Sequence, residues 1–141
     1  MVAAAAAEPT AGEAGRQRIK ILVTDDNARW REGLHEAFEP RGYETLEAGS
    51  GEEAIEAVQE KRPHVVILDI HLPQMSGLGT LRIIRREVSG ELPAIMVSSR
   101  VSDKVMAEAL ALHAFTVLSK MVGVHRLLYT VAKVLSKYYR L

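Results

Sequence analysis

Between residues 18 and 139, short apolar runs of strand length alternate with segments of helical period, and few folds accommodate that alternation. The runs are RIKILV (18–23), YETLEA (43–48), VVILD (65–69), PAIMVS (93–98) and FTVLS (115–119). Between the first two, ARWREGLHEAF sets Trp30, Leu34, Ala37 and Phe38 at i, i+4, i+7 and i+8, one face of a helix that Gly42 closes. GEEAIEAVQEKR turns Ala54, Ile55 and Val58 inward and stops at Pro63. SGLGTLRIIRREV reads as a third helix, and DKVMAEALAL as a fourth with Val105, Ala109 and Leu112 on one face. The last helix, from about 123 to 139, repeats at Val124, Leu127, Leu128, Val131, Leu135 and Tyr138. VVILD is apolar throughout, as a strand buried on both faces must be. Five such units predict an α/β fold, a doubly wound parallel sheet with right-handed crossovers and helices on both faces.

At 141 residues the length suits one domain, 18–141, behind an Ala-rich tail at 1–17 that reads as flexible. Lys+Arg and Asp+Glu balance at 18 each, so no global field argues for nucleic acid or a membrane surface. The absence of cysteine fits a reducing compartment, and the expected location is cytoplasmic. No apolar run approaches the length of a membrane span.

Ligands of such sheets bind at the C-terminal strand ends, near the reversal of strand order. The first strand ends in Asp25-Asp26-Asn27, the third in Asp69, the fourth in Ser98-Ser99 and the fifth in Ser119-Lys120. Each alone has an ordinary explanation: an aspartate there is commonly a turn former or helix cap, and a lysine is commonly solvated. Together they put three carboxylates, a hydroxyl and an ammonium on one rim. Two unit charges about 4 Å apart repel by about 4 kcal/mol at an effective dielectric of ~20, so the carboxylates call for a cation. Oxygen ligands alone suit Mg²⁺, which often bridges to a phosphate. His71, two residues past Asp69, suggests a transition-metal pair, but no second histidine is placed near it. A carboxylate can also be the nucleophile of a phosphoryl transfer, which depends on positioning and charge neutralisation.

The order Asp25-Asp26, Asp69, Ser98 and Lys120, with Asp69 inside LDIHLPQMSG, resembles the receiver domain of two-component response regulators over about residues 18–140. The motif D-x-x-x-P-x-M-x-G at Asp69, Pro73, Met75 and Gly77 is specific. The resemblance implies a flavodoxin-like strand order 2-1-3-4-5, with Asp69 as phosphoacceptor. It implies Mg²⁺ held by Asp26 and Asp69, by Asp25 through water and by the backbone carbonyl of His71. Ser98 is then the hydroxyl that moves toward the phosphoryl group, and Lys120 pairs with a phosphoryl oxygen. The implied donor is a histidine kinase or a His-phosphotransfer protein. The implied output is a remodelled face of fourth helix, fifth strand and fifth helix, toward a partner the sequence does not name. Such a chain is no enzyme beyond transfer to its own aspartate and self-dephosphorylation.

Three positions depart from the family pattern. An aromatic often stands three residues before the lysine; here it is Val117, with Phe115 two earlier, read as the same strand face. The common Lys-Pro is Lys120-Met121, and the Gly-Ala before the fifth strand is His113-Ala114. His71 and Arg100 fill positions that modulate phosphate lifetime in the family. These departures leave an alternative: an atypical receiver acting as an interaction scaffold without phosphate control. An aspartyl-phosphate phosphohydrolase needs an Asp-x-Asp pair on the first strand, which VTDDNA does not supply.

GSGEEA (49–54) imitates a dinucleotide fingerprint, but Ser50-Gly51-Glu52-Glu53 is better read as a capping box, and two first-turn glutamates would repel a pyrophosphate. After Glu108 no acidic residue follows, whereas Lys120, Arg126, Lys133, Lys137 and Arg140 do. The last helix is thus a basic solvated face, a docking surface for an acidic partner, or a homodimer face. No DNA-binding module follows it, so no nucleic acid is expected to bind this chain alone.

Overall fold

The computed structural model describes residues 18–141; the tail expected at 1–17 lies outside the described residues. The chain runs β1 (Ile19–Thr24), α1 (Ala28–Phe38), β2 (Tyr43–Ala48), α2 (Gly51–Lys61), β3 (Val65–Asp69), α3 (Gly77–Ile83), β4 (Ala94–Ser98), α4 (Asp103–Ala111), β5 (Thr116–Ser119) and α5 (Val124–Tyr139). All strand pairs are parallel, in the order β2-β1-β3-β4-β5. Both the alternation and the expected strand order are therefore present.

Two apolar layers flank the sheet. Leu22, Leu68 and Met96 meet Ala54 and Val58 of α2, Leu81 of α3 and Ala109 of α4. On the other face, Ile21, Ile67 and Val97 meet Leu34 and Phe38 of α1 and Leu127, Val131 and Leu135 of α5. Every residue of β3 and β4 is buried, because both faces are covered. Burying each such Val, Leu or Ile contributes about 1.5–3 kcal/mol relative to an exposed one.

Register sets the rim. Thr24 pairs with Leu68, Asp69 with Val97 and Ser98 with Ser119, so the residues that follow β1 come level with the ends of the central strands. The polar residues at these ends therefore share one edge of the sheet rather than scattering along it.

Three local features differ from the sequence-based expectation or refine it. The third helix is not continuous: after Ile83 the backbone widens into one π-helical turn, Ile84–Val88, with Ser89 N–H donating to Ile84 O at 2.7 Å. Within it the Arg85 guanidinium donates to the carbonyls of Leu112 (2.8 Å) and His113 (3.2 Å). That clamp holds the end of α4, where His113 takes the left-handed conformation (φ 61°) that glycine usually supplies. Second, Phe115 does not share a face with Val117. Val117 packs in the layer under α4, whereas Phe115, just ahead of the regular pleat, packs on the α5 side with its ring 6.4 Å from Tyr138. Third, the buried residues of the last turns of α5 are Val134 and Tyr139 as well as Leu135, with Tyr138 only partly covered. The Tyr139 hydroxyl donates to His64 O at 2.7 Å, which ties down the end of the helix. Burial pushes the Tyr139 phenol up to about 12.

The glycine-rich stretch after β2 is a helix start. Ser50 Oγ accepts from Glu53 N–H at 3.1 Å, and Glu53 Oε1 accepts from Gly49 N–H at 2.7 Å. A Cβ on Gly51 would collide with Thr80 Oγ1 and crowd Met75, so this glycine lets α2 pack against α3 rather than cradling a ligand.

Candidate functional site

The loop after β1 is built from its own side chains. Asp25 Oδ1 accepts from Asn27 N–H (2.8 Å), and Asn27 Oδ1 accepts from Trp30 N–H (3.0 Å), capping α1. Arg31 closes the loop from the next turn, donating to Asp25 O at 2.5 Å and to Glu47 Oε1 at 3.0 Å. Asp25 is fully buried while Asp26 is exposed. The pair thus divides into an inner and an outer carboxylate.

After β3 the chain is equally constrained. Asp69, 3% exposed, accepts from His71 N–H through Oδ1 at 3.0 Å. Gly77 N–H donates to Ile70 O (2.8 Å), and a Cβ on Gly77 would collide with the Asp69 carbonyl oxygen. Gln74 sits in the left-handed region (φ 68°), completing the turn between Asp69 and the Ser76 cap of α3. The sequence motif around Asp69 is therefore the description of a loop folded back on the aspartate's own backbone.

Lys120 reaches the site from a 3-10 turn, Lys120–Val122, in which Met121 N–H donates to Ser119 Oγ at 3.0 Å. Its Nζ lies 2.5 Å from Asp25 Oδ2 and 3.3 Å from Asp69 Oδ2. Burial alone would lower the ammonium's pKa, but the two aspartates more than offset it and hold the pKa above its ordinary value. The Trp30 ring centroid lies 4.8 Å from the same nitrogen.

Carboxylate oxygens of Asp25, Asp26 and Asp69 all lie within 4.8 Å of one another. Asp25 Oδ2 is buried against the Lys120 ammonium. Three carboxylates offering hard oxygen donors, two of them buried and one exposed, fit a divalent cation such as Mg²⁺. Ser98 is fully buried at the end of β4, and its hydroxyl is turned onto Arg100, donating to the carbonyl (2.5 Å) and accepting from the N–H (3.0 Å).

Asp25, Asp26, Asp69 and Lys120 are thus brought together. The backbone N–H of His71 joins them, while its side chain is exposed. Sequence reasoning missed Asn27 and Arg31, which hold the acid loop, and the approach of Trp30 to Lys120. Position in the first turn after the acid pair was the available signal for all three.

A doubly wound α/β domain with carboxylates facing a lysine at its C-terminal rim defines the class, a flavodoxin-like fold of the CheY type. The response regulator receiver domain model matches residues 21–132, and the chain belongs to that family of two-component signalling domains. It is 40% identical over 98 residues to a protein-glutamate methylesterase/protein-glutamine glutaminase of Pyrococcus horikoshii, covering 68% of this chain and 26% of that one. Among solved structures it resembles a CheY-like receiver domain protein of Methanospirillum hungatei (TM-score 0.82, 23% identity, 88% of this chain and 98% of that one). It also resembles a chain in a CheX–CheY–BeF3–Mg²⁺ complex of Borrelia burgdorferi (TM-score 0.77, 26% identity, 82% and 88%). The chain spans about a quarter to two fifths of the length of the curated relatives it matches. No helix among the described residues is long and apolar enough to cross a membrane.

Proposed function

We propose that this domain accepts a phosphoryl group on Asp69 and carries it as a signal. The observation that carries the reading is the triangle of Asp25, Asp69 and Lys120. One buried carboxylate is held beside a second carboxylate and an ammonium, with a backbone N–H on its other oxygen. Phosphoryl transfer asks for this arrangement, because its transition state spreads charge over oxygens that need neutralising on several sides.

An oxygen of Asp69 attacks phosphorus in line. The P–N bond of a phosphohistidine on a histidine kinase or His-phosphotransfer protein breaks, and the imidazole leaves with the bonding pair. Lys120 pairs with a phosphoryl oxygen, and His71 N–H, which donates to Asp69 Oδ1 at rest, can turn to another. Asp26 and Asp69, the His71 carbonyl, and Asp25 through water would hold Mg²⁺, which when bound neutralises the phosphoryl charge. Asp25 keeps Lys120 at the rim. Ser98 leaves Arg100 and donates to the phosphoryl group, which pulls the start of the β4–α4 loop and alters the α4–β5–α5 face. The domain catalyses nothing beyond this transfer and the later hydrolysis of its own acyl phosphate.

Incubation with Mg²⁺ and a small acyl-phosphate donor, followed by intact-mass measurement, tests the reading. Wild type gains one phosphoryl group and Asp69→Asn gains none. A wild type that stays unmodified supports the scaffold reading instead.

A further inference from the structure

The sole tryptophan of the chain stands against the site lysine, and nothing in the phosphoacceptor reading requires it there. We propose that Trp30 is a positioning residue for phosphoryl acceptance: its indole face holds the Lys120 ammonium at the carboxylate rim. The inference rests on the reading of Asp69 as acceptor and extends it to a residue outside the acid, hydroxyl and lysine set.

Lys120 is poorly braced by its own backbone. It opens a three-residue 3-10 turn, and the next side chain, Met121, is 87% exposed. The long aliphatic stem therefore depends on what surrounds its tip. Two sides are taken by Asp25 and Asp69. Beyond them lies the groove between α1 and α5, about 430 Å³, lined by Trp30 and Lys120 among others. Trp30 takes a third side, with its centroid 4.8 Å from Nζ, inside the range where the negative ring face attracts a cation.

The same loop that presents the acid pair places the ring. Asp25 holds Asn27, Asn27 caps α1 at Trp30 N–H, and Arg31 ties the first turn back to Asp25 O. Carboxylates and indole are thus set by one connected group of hydrogen bonds, and their spacing around Lys120 is preset before any phosphoryl group arrives. When a phosphoryl oxygen appears on Asp69, the ammonium shifts toward it and the ring environment changes.

The test combines emission and loading rate. In resting protein, Lys120→Met changes the Trp30 emission spectrum relative to wild type. An unchanged spectrum would show that ring and ammonium do not meet in solution and would overturn the proposal. For loading, the initial rate with Mg²⁺ and acetyl phosphate is compared among wild type, Trp30→Phe and Trp30→Leu, each first shown folded by thermal melting. Trp30→Phe keeps a π face and loads within about twofold of wild type, while Trp30→Leu, apolar but without that face, loads roughly 3- to 10-fold more slowly. Equal rates for Phe and Leu variants remove the positioning role alone. A wild type that takes no phosphoryl group removes the acceptor reading, and the role with it.

Discussion

The Ser98 hydroxyl both donates to the Arg100 carbonyl and accepts from the Arg100 N–H, so it faces the β4–α4 loop and not Asp69. A buried hydroxyl satisfied twice by one residue has a defined resting position, and leaving it means giving up both bonds. On the proposed reading a phosphoryl-facing position would be the second of two discrete states, as a switch requires.

Ser98→Ala separates loading from readout. Asp69 remains a nucleophile beside Lys120, so the variant still takes up a phosphoryl group, about 2- to 10-fold more slowly for the loss of one donor. The Arg100 amide resonance, which moves on loading in wild type, stays in place in the variant. A full-sized shift of that amide in Ser98→Ala would show that the signal does not pass through the hydroxyl.

Gly77→Ala tests the loop around the acceptor. A Cβ there collides with the Asp69 carbonyl oxygen, and backbone cannot step aside as a flexible side chain can. Overpacking of this kind costs roughly 1–3 kcal/mol, read as a lower midpoint in urea unfolding, and loading slows because Asp69 moves with its carbonyl. Unchanged stability would mean that the loop is more yielding than its hydrogen bonds indicate.

Divalent cation affinity follows from the oxygen cluster. On the proposed reading Mg²⁺ should bind the folded state and raise the melting temperature by several degrees at about 100-fold excess over its dissociation constant, worth ~2.7 kcal/mol. Asp26→Asn removes the exposed carboxylate of the three and abolishes most of that rise. Equal Mg²⁺ stabilisation in the variant would move the metal away from this cluster.

Acid stability should depend on His64, far from the rim. Its Nδ1 accepts from Lys20 N–H at 3.1 Å, and its ring packs on Tyr139. Burial, and then the charge of Lys20, hold its pKa below the ordinary 6.5. The unfolded chain therefore binds the proton more readily, and the stabilisation from neutral His64 is complete above about pH 6.5 and lost as pH falls from there through the lower folded value. Urea unfolding between pH 7 and about 5 shows this loss in wild type and less of it in His64→Asn.

Much of this was legible in the sequence because it is written in residue period and position. Alternation of apolar runs set the elements, and the residue ending each strand set the rim, since parallel register brings successive strand ends level. What escaped is decided by neighbours distant in the chain. Trp30 reads as one more apolar residue on the α1 face until Lys120, ninety residues later, comes to lie against it. IRREV has nothing to distinguish a π turn from an α turn until Arg85 is seen reaching the carbonyls that end α4. Phe115 was misplaced because strand alternation holds only inside the ladder, and it stands one residue ahead of it.

The most direct test of the central claim locates the phosphoryl group itself. The chain is loaded with Mg²⁺ and an acyl-phosphate donor, reduced with borohydride to turn an aspartyl phosphate into homoserine, and mapped by peptide mass spectrometry. The account predicts a single converted residue, Asp69. Conversion at Asp25 or Asp26 instead, or none under conditions where Mg²⁺ stabilises the fold, would contradict it.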